Sequence, residues 1–195
     1  ILLVVLVIFG AGGHSKSCIE IILQDKRYKI NKIIGLPGTS ESKILNFKVD
    51  NTDHDLEKLK LKNKNAFIGI GQIKTPAPRV KIYNTLIKNN FLFPSFLSKN
   101  SYVSKNSEIN DSCIIMNKVN INSGVTIHSN CIVNTGAIIE HDVNVEKHCH
   151  ISTGAILNGG VIIGEGSFIG SGSIIHELVK IKKNSIIPAG SIVKK

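Results

Sequence analysis

Within VNTGAIIEHDVNVEKHCHIS, residues 133–152, ionisable side chains crowd into a stretch otherwise built from Ile, Val, Ala and small polar residues. Glu140, His141 and Asp142 are consecutive, and His150 follows nine positions after His141. An unperturbed histidine titrates near pH ~6.5, so an imidazole beside a carboxylate suits general-base work at neutral pH. Asp142, or failing it Glu140, would orient the ring and stabilise the imidazolium. The turn histidines His128, His148 and His176 are expected to be solvated.

A repeat must position these residues. Stepping by six from Val103 to Val193 lands on an aliphatic side chain every time, with no insertion. Two residues before most landings lies a second small or slender side chain, as in Val119, Ala137, Ala155 and Ser173. Two inward positions per six residues, separated by Gly, Asn or Ser, are the signature of a parallel β-helix of hexapeptides. No heptad or 3.6-residue helix keeps that register over so many units.

Three hexapeptides make one coil of a three-sided prism. The outward residues of the first face are Glu108, Thr126, Asn144, Ile162 and Lys180, a wettable set. Those of the second are Ile114, Ile132, His150, Phe168 and Ile186, and those of the third Asn120, Ile138, Ile156, Ile174 and Ile192. Two apolar outer faces imply an interface. The turns joining them, NTG, STG, GSG and PAG from Asn134, Ser152, Gly170 and Pro188, are small enough to crowd round an axis. A homotrimer is therefore expected.

On this lattice Gly159 lies one coil above His141, leaving space over the imidazole and a bare backbone N–H. His150 is half a coil from His141, about 2.4 Å of rise at the strand spacing, but on another side of its own prism. Across the expected interface it would approach the His141 of the next subunit. Cys113, Cys131 and Cys149 are spaced by one coil and are expected to stack inward as reduced thiols, which fits a cytoplasmic protein without disulfides. No zinc-binding spacing competes.

The first half reads differently. ILLVVLVIF is a buried parallel strand, too short to span a bilayer, and the missing initiating Met implies that the first residue or residues are absent or that the start was assigned differently. It runs into GAGGHSKSCIEIILQ, a glycine-rich turn opening an amphipathic helix. Gly10, Gly12, Gly13 and His14 thus form a candidate anion site at a helix N-terminus, although the third glycine of a dinucleotide fingerprint falls at Ser15. Further strands are expected at Lys32–Leu36, Ala66–Ile70 and Phe91–Phe96, with a helix over Pro78–Asn90. These make a small parallel sheet whose ligand edge includes Gly10–His14. The chain accordingly divides into a small Rossmann-like domain, 1–97, and a β-helix domain, 98–195. Its net charge of +10 is spread among Asn and Ile rather than gathered beside aromatics, which argues against a nucleic-acid partner.

GAGGHSK, the unbroken hexapeptides and NTGAIIEHDVNVEKHCHISTGAILNGGVIIG together resemble the bacterial hexapeptide-repeat sugar acyltransferases, which include sialic-acid O-acetyltransferases and UDP-4-amino-sugar N-acetyltransferases. The resemblance implies a left-handed β-helix, a homotrimer and acetyl-CoA in the groove between neighbouring prisms, without a metal. By resemblance, His141 is the catalytic base and Asp142 its acidic partner. His150 and Asn134 match further active-site positions on the coenzyme side, and the Gly159 backbone matches a contact to the acetyl carbonyl. His14 and the preceding glycines match the part that holds the sugar's phosphate or carboxylate. The same base serves an amine or a hydroxyl, so N- and O-transfer both remain open, and so does a non-catalytic trimeric sugar-binding or scaffold protein on this fold. The sequence departs from the family in three places. Pro37-Gly38-Thr39 stands where acidic residues help hold uridine, Ser98 stands where a histidine is common, and the chain stops at Lys195 before the usual tail over the coenzyme.

Overall fold

The computed structural model describes residues 3–36, 38–51 and 56–195. The chain forms two compact units, one of residues 1–71 and 77–94, the other of residues 72–76 and 95–195.

In the first unit, β1 (Val4–Phe9) leads to α1 (Gly13–Ile22), then β2 (Tyr28–Ile34), a short hairpin of β3 (Lys43–Ile44) and β4 (Phe47–Asp50), α2 (Leu56–Lys62), β5 (Asn65–Ile68) and α3 (Ala77–Lys88). Ile1 and Leu2 of the expected first strand lie outside the described residues. The strand order is β3-β4-β2-β1-β5. β1, β2, β4 and β5 are parallel, while β3 is antiparallel to β4, so the sheet is mixed rather than purely parallel. Leu6, Val7 and Ile8 are fully buried, as expected of a strand that is apolar on both faces. One side of the sheet packs Phe9, Ile34, Ala66 and Ile68 with Leu86 and Phe91, and the Phe9 and Phe91 rings meet edge to face. α3 ends at Lys88, and Asn90 in the following turn, with φ 55°, permits the reversal that sends the Phe91 N–H to the Leu86 carbonyl. The expected strand over Phe91–Phe96 is therefore reduced to one bridge, Asn65 to Leu92, and Phe96 already belongs to the next element.

The second unit is the left-handed parallel β-helix. Two-residue strands recur every six residues from β6 (Phe96–Leu97) to β22 (Ile192–Val193) and stack in three parallel sheets at a register of eighteen. The landing residues are inward, and the second inward column, including Val119, Ala137, Ala155, Ser167 and Ser173, is buried with them. Of these second inward positions, Cys113, Cys131 and Cys149 stack along one edge of the prism between Ser95 and Ser167, apart from the Val119, Ala137 and Ala155 stack. Each hydroxyl or thiol donates to the carbonyl fifteen residues on, as in Cys131 Sγ to Glu146 O at 3.1 Å and Ser167 Oγ to Lys182 O at 2.9 Å. The Ser95–Ser167 stack is thus built of small side chains that each carry one donor. Burial raises the Cys131 pKa well above its ordinary value, which keeps the thiol a donor.

The outer faces correct one expectation. Ile114 and Ile132 are fully buried and His150 is 5% exposed within the single chain, so the second face is not an open apolar stripe. The third face keeps Ile138, Ile156 and Ile174 partly exposed and Ile192 exposed.

Candidate active site

His141 and Asp142 form the turn after the Ile138–Ile139 strand. Asp142 occupies the left-handed backbone conformation, φ 60°, that this corner demands and that Asp tolerates better than bulky residues. His141 Nδ1 lies 2.9 Å from Asp142 Oδ2, and both side chains are largely exposed. Glu140 turns elsewhere, accepting from Asn122 Nδ2 at 2.7 Å. The ring therefore carries its proton on Nδ1, toward Asp142, and presents Nε2 as the basic atom.

Two glycines frame the pair. A Cβ on Gly124, one coil below Asp142, would collide with Asp142 Oδ1. A Cβ on Gly159, one coil above His141, would stand 2.6 Å from both Cε1 and Nε2 of the ring. The Gly159 N–H meets no acceptor among the described residues. Basic nitrogen and bare donor thus lie on adjacent coils of one corner. That geometry suits proton removal from a nucleophile beside a developing oxyanion.

His150 lies apart from this pair. Its Nδ1 is 2.5 Å from the Gln72 carbonyl, its Nε2 is 3.3 Å from Asn134 Nδ2, and its ring meets Phe168 edge to face. Asn134, partly exposed, also takes the Thr135 N–H on its Oδ1 at 2.8 Å. His148, expected to be solvated, is buried, with Nδ1 2.9 Å from Asn130 Nδ2 and the Gln72 amide donating to its backbone carbonyl at 3.0 Å. Ser98, standing where the family commonly has histidine, is buried with its hydroxyl on Asn117 Oδ1.

In the first unit, Gly10, Gly12, Gly13 and His14 line one open cleft of about 410 Å³ together with Thr39, Glu41 and Gly71. Gly12 caps α1 without a side-chain hydrogen bond, and the first turn carries no acid, so the helix N-terminus faces the cleft undiminished. Gly10 has φ 110°, a backbone conformation that side chains rarely adopt, and a Cβ there would stand 3.0 Å from Ile70 Cγ1. Ser15, in place of the third fingerprint glycine, is fully buried and donates to the Gly10 carbonyl at 2.8 Å. Room for it comes from Gly69, where a Cβ would lie 2.6 Å from Ser15 Oγ. Close packing is preserved by moving the glycine to the facing strand end. His14 Nε2 lies 3.3 Å from the Cys18 thiol one helical turn on. Of the Pro37-Gly38-Thr39 segment, Pro37 lies outside the described residues, while Thr39 Oγ1 accepts the Leu36 N–H. Glu41, which the reading of the sequence missed, supplies a carboxylate to this cleft. The Gly69-Ile70-Gly71 sequence after β5 was the signal for the wall opposite.

Among the described residues no group of His, Cys, Asp or Glu is placed to hold a metal ion, and no helix is long and apolar enough to cross a membrane.

Residues 5–86 match the PglD N-terminal domain family. The whole chain is similar to a His→Asn variant of perosamine N-acetyltransferase from Caulobacter crescentus solved with CoA and GDP-perosamine. Identity is 28% over 97% of this chain and 88% of that one, with a TM-score of 0.89. It is similar to the acetyltransferase domain of PglB from Neisseria gonorrhoeae FA1090, solved with acetyl coenzyme A, at 26% identity over 99% and 92% of the two chains and a TM-score of 0.88. WeeI from Acinetobacter baumannii AYE, at 18% identity over 98% and 97% and a TM-score of 0.71, shares the fold. No curated protein sequence matches the chain. With that front domain, an unbroken hexapeptide prism and these likenesses over nearly its full length, the chain resembles the bacterial hexapeptide-repeat sugar acetyltransferases, and the enzyme class that the likeness supports is an acyltransferase.

Proposed function

We propose that the protein transfers an acetyl group from acetyl-CoA to an amino or hydroxyl group of a nucleotide-activated or sialic-acid-like sugar, in the synthesis of a bacterial surface glycan. The observation that carries this reading is the His141–Asp142 pair at 2.9 Å beneath the unengaged N–H of Gly159.

His141 Nε2 accepts the proton of the acceptor group as that group attacks the thioester carbonyl carbon, and Asp142 steadies the imidazolium. The Gly159 N–H faces the carbonyl oxygen as it gains charge. The C–S bond then breaks, CoA leaves as its thiolate, and the proton held on His141 is available to it. Asn134 and His150 stand on the coenzyme side. Gly10, Gly12, Gly13 and His14 hold the acceptor's phosphate or carboxylate at the α1 N-terminus. The chemistry is direct acyl transfer and asks for no metal.

The working form is a homotrimer in which the third face, Ile138, Ile156, Ile174 and Ile192, is covered by a neighbour, so that each His141 works beside a second chain. Partly exposed isoleucines stacked along one sheet support this arrangement. Incubation with acetyl-CoA and a panel of nucleotide amino-sugars and nonulosonic acids, read by product mass, tests the reading. It expects a gain of one acetyl group on at least one acceptor class, and hydrolysis without transfer across the panel would overturn it.

A further inference from the structure

We infer that Gln72 is a positioning residue, which locks the His150 imidazole in one neutral tautomer and through it orients the Asn134 carboxamide. What Asn134 serves rests on the acetyltransferase reading above; the tautomer does not.

Gln72 follows Gly71 in the chain but belongs to the second unit, where it is 3% exposed. Its side-chain Nε2 lies 3.0 Å from the His148 carbonyl, 3.3 Å from that of Gly166 and 3.5 Å from that of Ser167. Three acceptors around one atom identify it as the amide nitrogen and pin the side chain to two successive coils. So anchored, Gln72 aims its own backbone carbonyl at His150 Nδ1, 2.5 Å away. A carbonyl only accepts, so Nδ1 holds the ring proton.

The rest follows from hydrogen-bond polarity. With Nδ1 protonated, Nε2 of the neutral ring is an acceptor, and Asn134 Nδ2 stands 3.3 Å from it. Asn134 cannot turn its amide over without loss, because its Oδ1 already accepts the Thr135 N–H at 2.8 Å. Donor and acceptor alternate from Thr135 through Asn134 and His150 to Gln72 without conflict. The other tautomer would set lone pair against lone pair at Gln72 and N–H against N–H at Asn134. A doubly protonated ring would keep the first bond and lose the second. Phe168, 5.2 Å away and tilted by 72°, holds the ring plane. His150, itself buried, therefore acts through the partly exposed Asn134.

The test is a two-bond proton–nitrogen correlation spectrum of the ¹⁵N-labelled full chain, with His150 assigned by its loss in His150→Asn. The expected pattern near neutral pH is a neutral ring protonated at Nδ1. Gln72→Ala should convert it to a mixture of tautomers and lower kcat/KM for acetyl-CoA about tenfold, the worth of one ordinary hydrogen bond. Gln72→Met, which fills the space but donates nothing, should behave as Gln72→Ala does. A wild-type ring protonated at Nε2 or at both nitrogens would overturn the inference, and so would a Gln72→Met protein with native spectrum and turnover. The wild-type spectrum needs neither a variant that folds nor an active enzyme, so its failure is distinct from a failure to detect transfer.

Discussion

The His141 imidazole lies in the space that a side chain on Gly159 would need, 2.6 Å from where that Cβ would stand. One coil of prism thus sets both the imidazole and the position above it that must stay without a side chain.

Gly159→Ala should cost activity without costing the fold. The residue lies in a partly exposed turn, so the added methyl meets chiefly the His141 ring and displaces it from the acceptor. A misplacement of this kind is worth about a hundredfold in rate. Steady-state kinetics beside a thermal melt check this, with kcat falling and the melting temperature nearly unchanged.

Asp142→Asn keeps the shape of the turn and removes the charge facing Nδ1. A hydrogen bond to a charged group contributes about 1.5–3 kcal/mol, so kcat/KM should fall roughly tenfold to a hundredfold. Glu140→Gln should fall much less, since that carboxylate is held by Asn122 rather than by His141. Comparing the two variants under identical conditions separates their roles.

Ile156→Asp should take the assembly apart. Ile156 stands between Ile138 and Ile174 on the third face, and a carboxylate there would be buried unpaired by a neighbour. Light scattering after gel filtration is expected to show three chains for the wild type and one for the variant. The variant's β-rich circular dichroism should persist, because the stacked coils close within one chain.

Alkaline stability should be limited by the buried thiols. Burial pushes the Cys18 thiol from 9.0 up to about 12 and raises Cys131 as well. A raised folded-state pKa means the stabilisation is complete below the unfolded value and is lost as pH climbs from 9 toward 12. The loss has a limiting slope of about 1.4 kcal/mol per pH unit for each such thiol. Melting temperatures across that range should fall, and Cys18→Ala should flatten part of the fall.

The repeat was legible because a hexapeptide period states which side chains point inward, whatever lies around the prism. Cys113, Cys131 and Cys149, and the placing of Gly159 over His141, follow from counting alone. What covers an outward residue is a different matter. His150 was read from the repeat as an outward residue on an open face, yet Gln72, 78 positions away in sequence, bonds to it and it is buried. No period connects a strap to the rung it lies on. The β3–β4 hairpin escaped for a similar reason: two- and four-residue strands carry too few side chains to show alternation. The cleft of the first unit was half visible, through GAGGH, while Glu41 reaches it only by the return of the chain after β2.

A single-turnover measurement at saturating acetyl-CoA and acceptor, comparing wild type with His141→Ala, tests the role of His141 most directly. The expected result is a fall of about 10²–10⁴ in the acyl-transfer step with the assembly intact. Transfer within about twofold of wild type in that variant would contradict the assignment of His141 as the base.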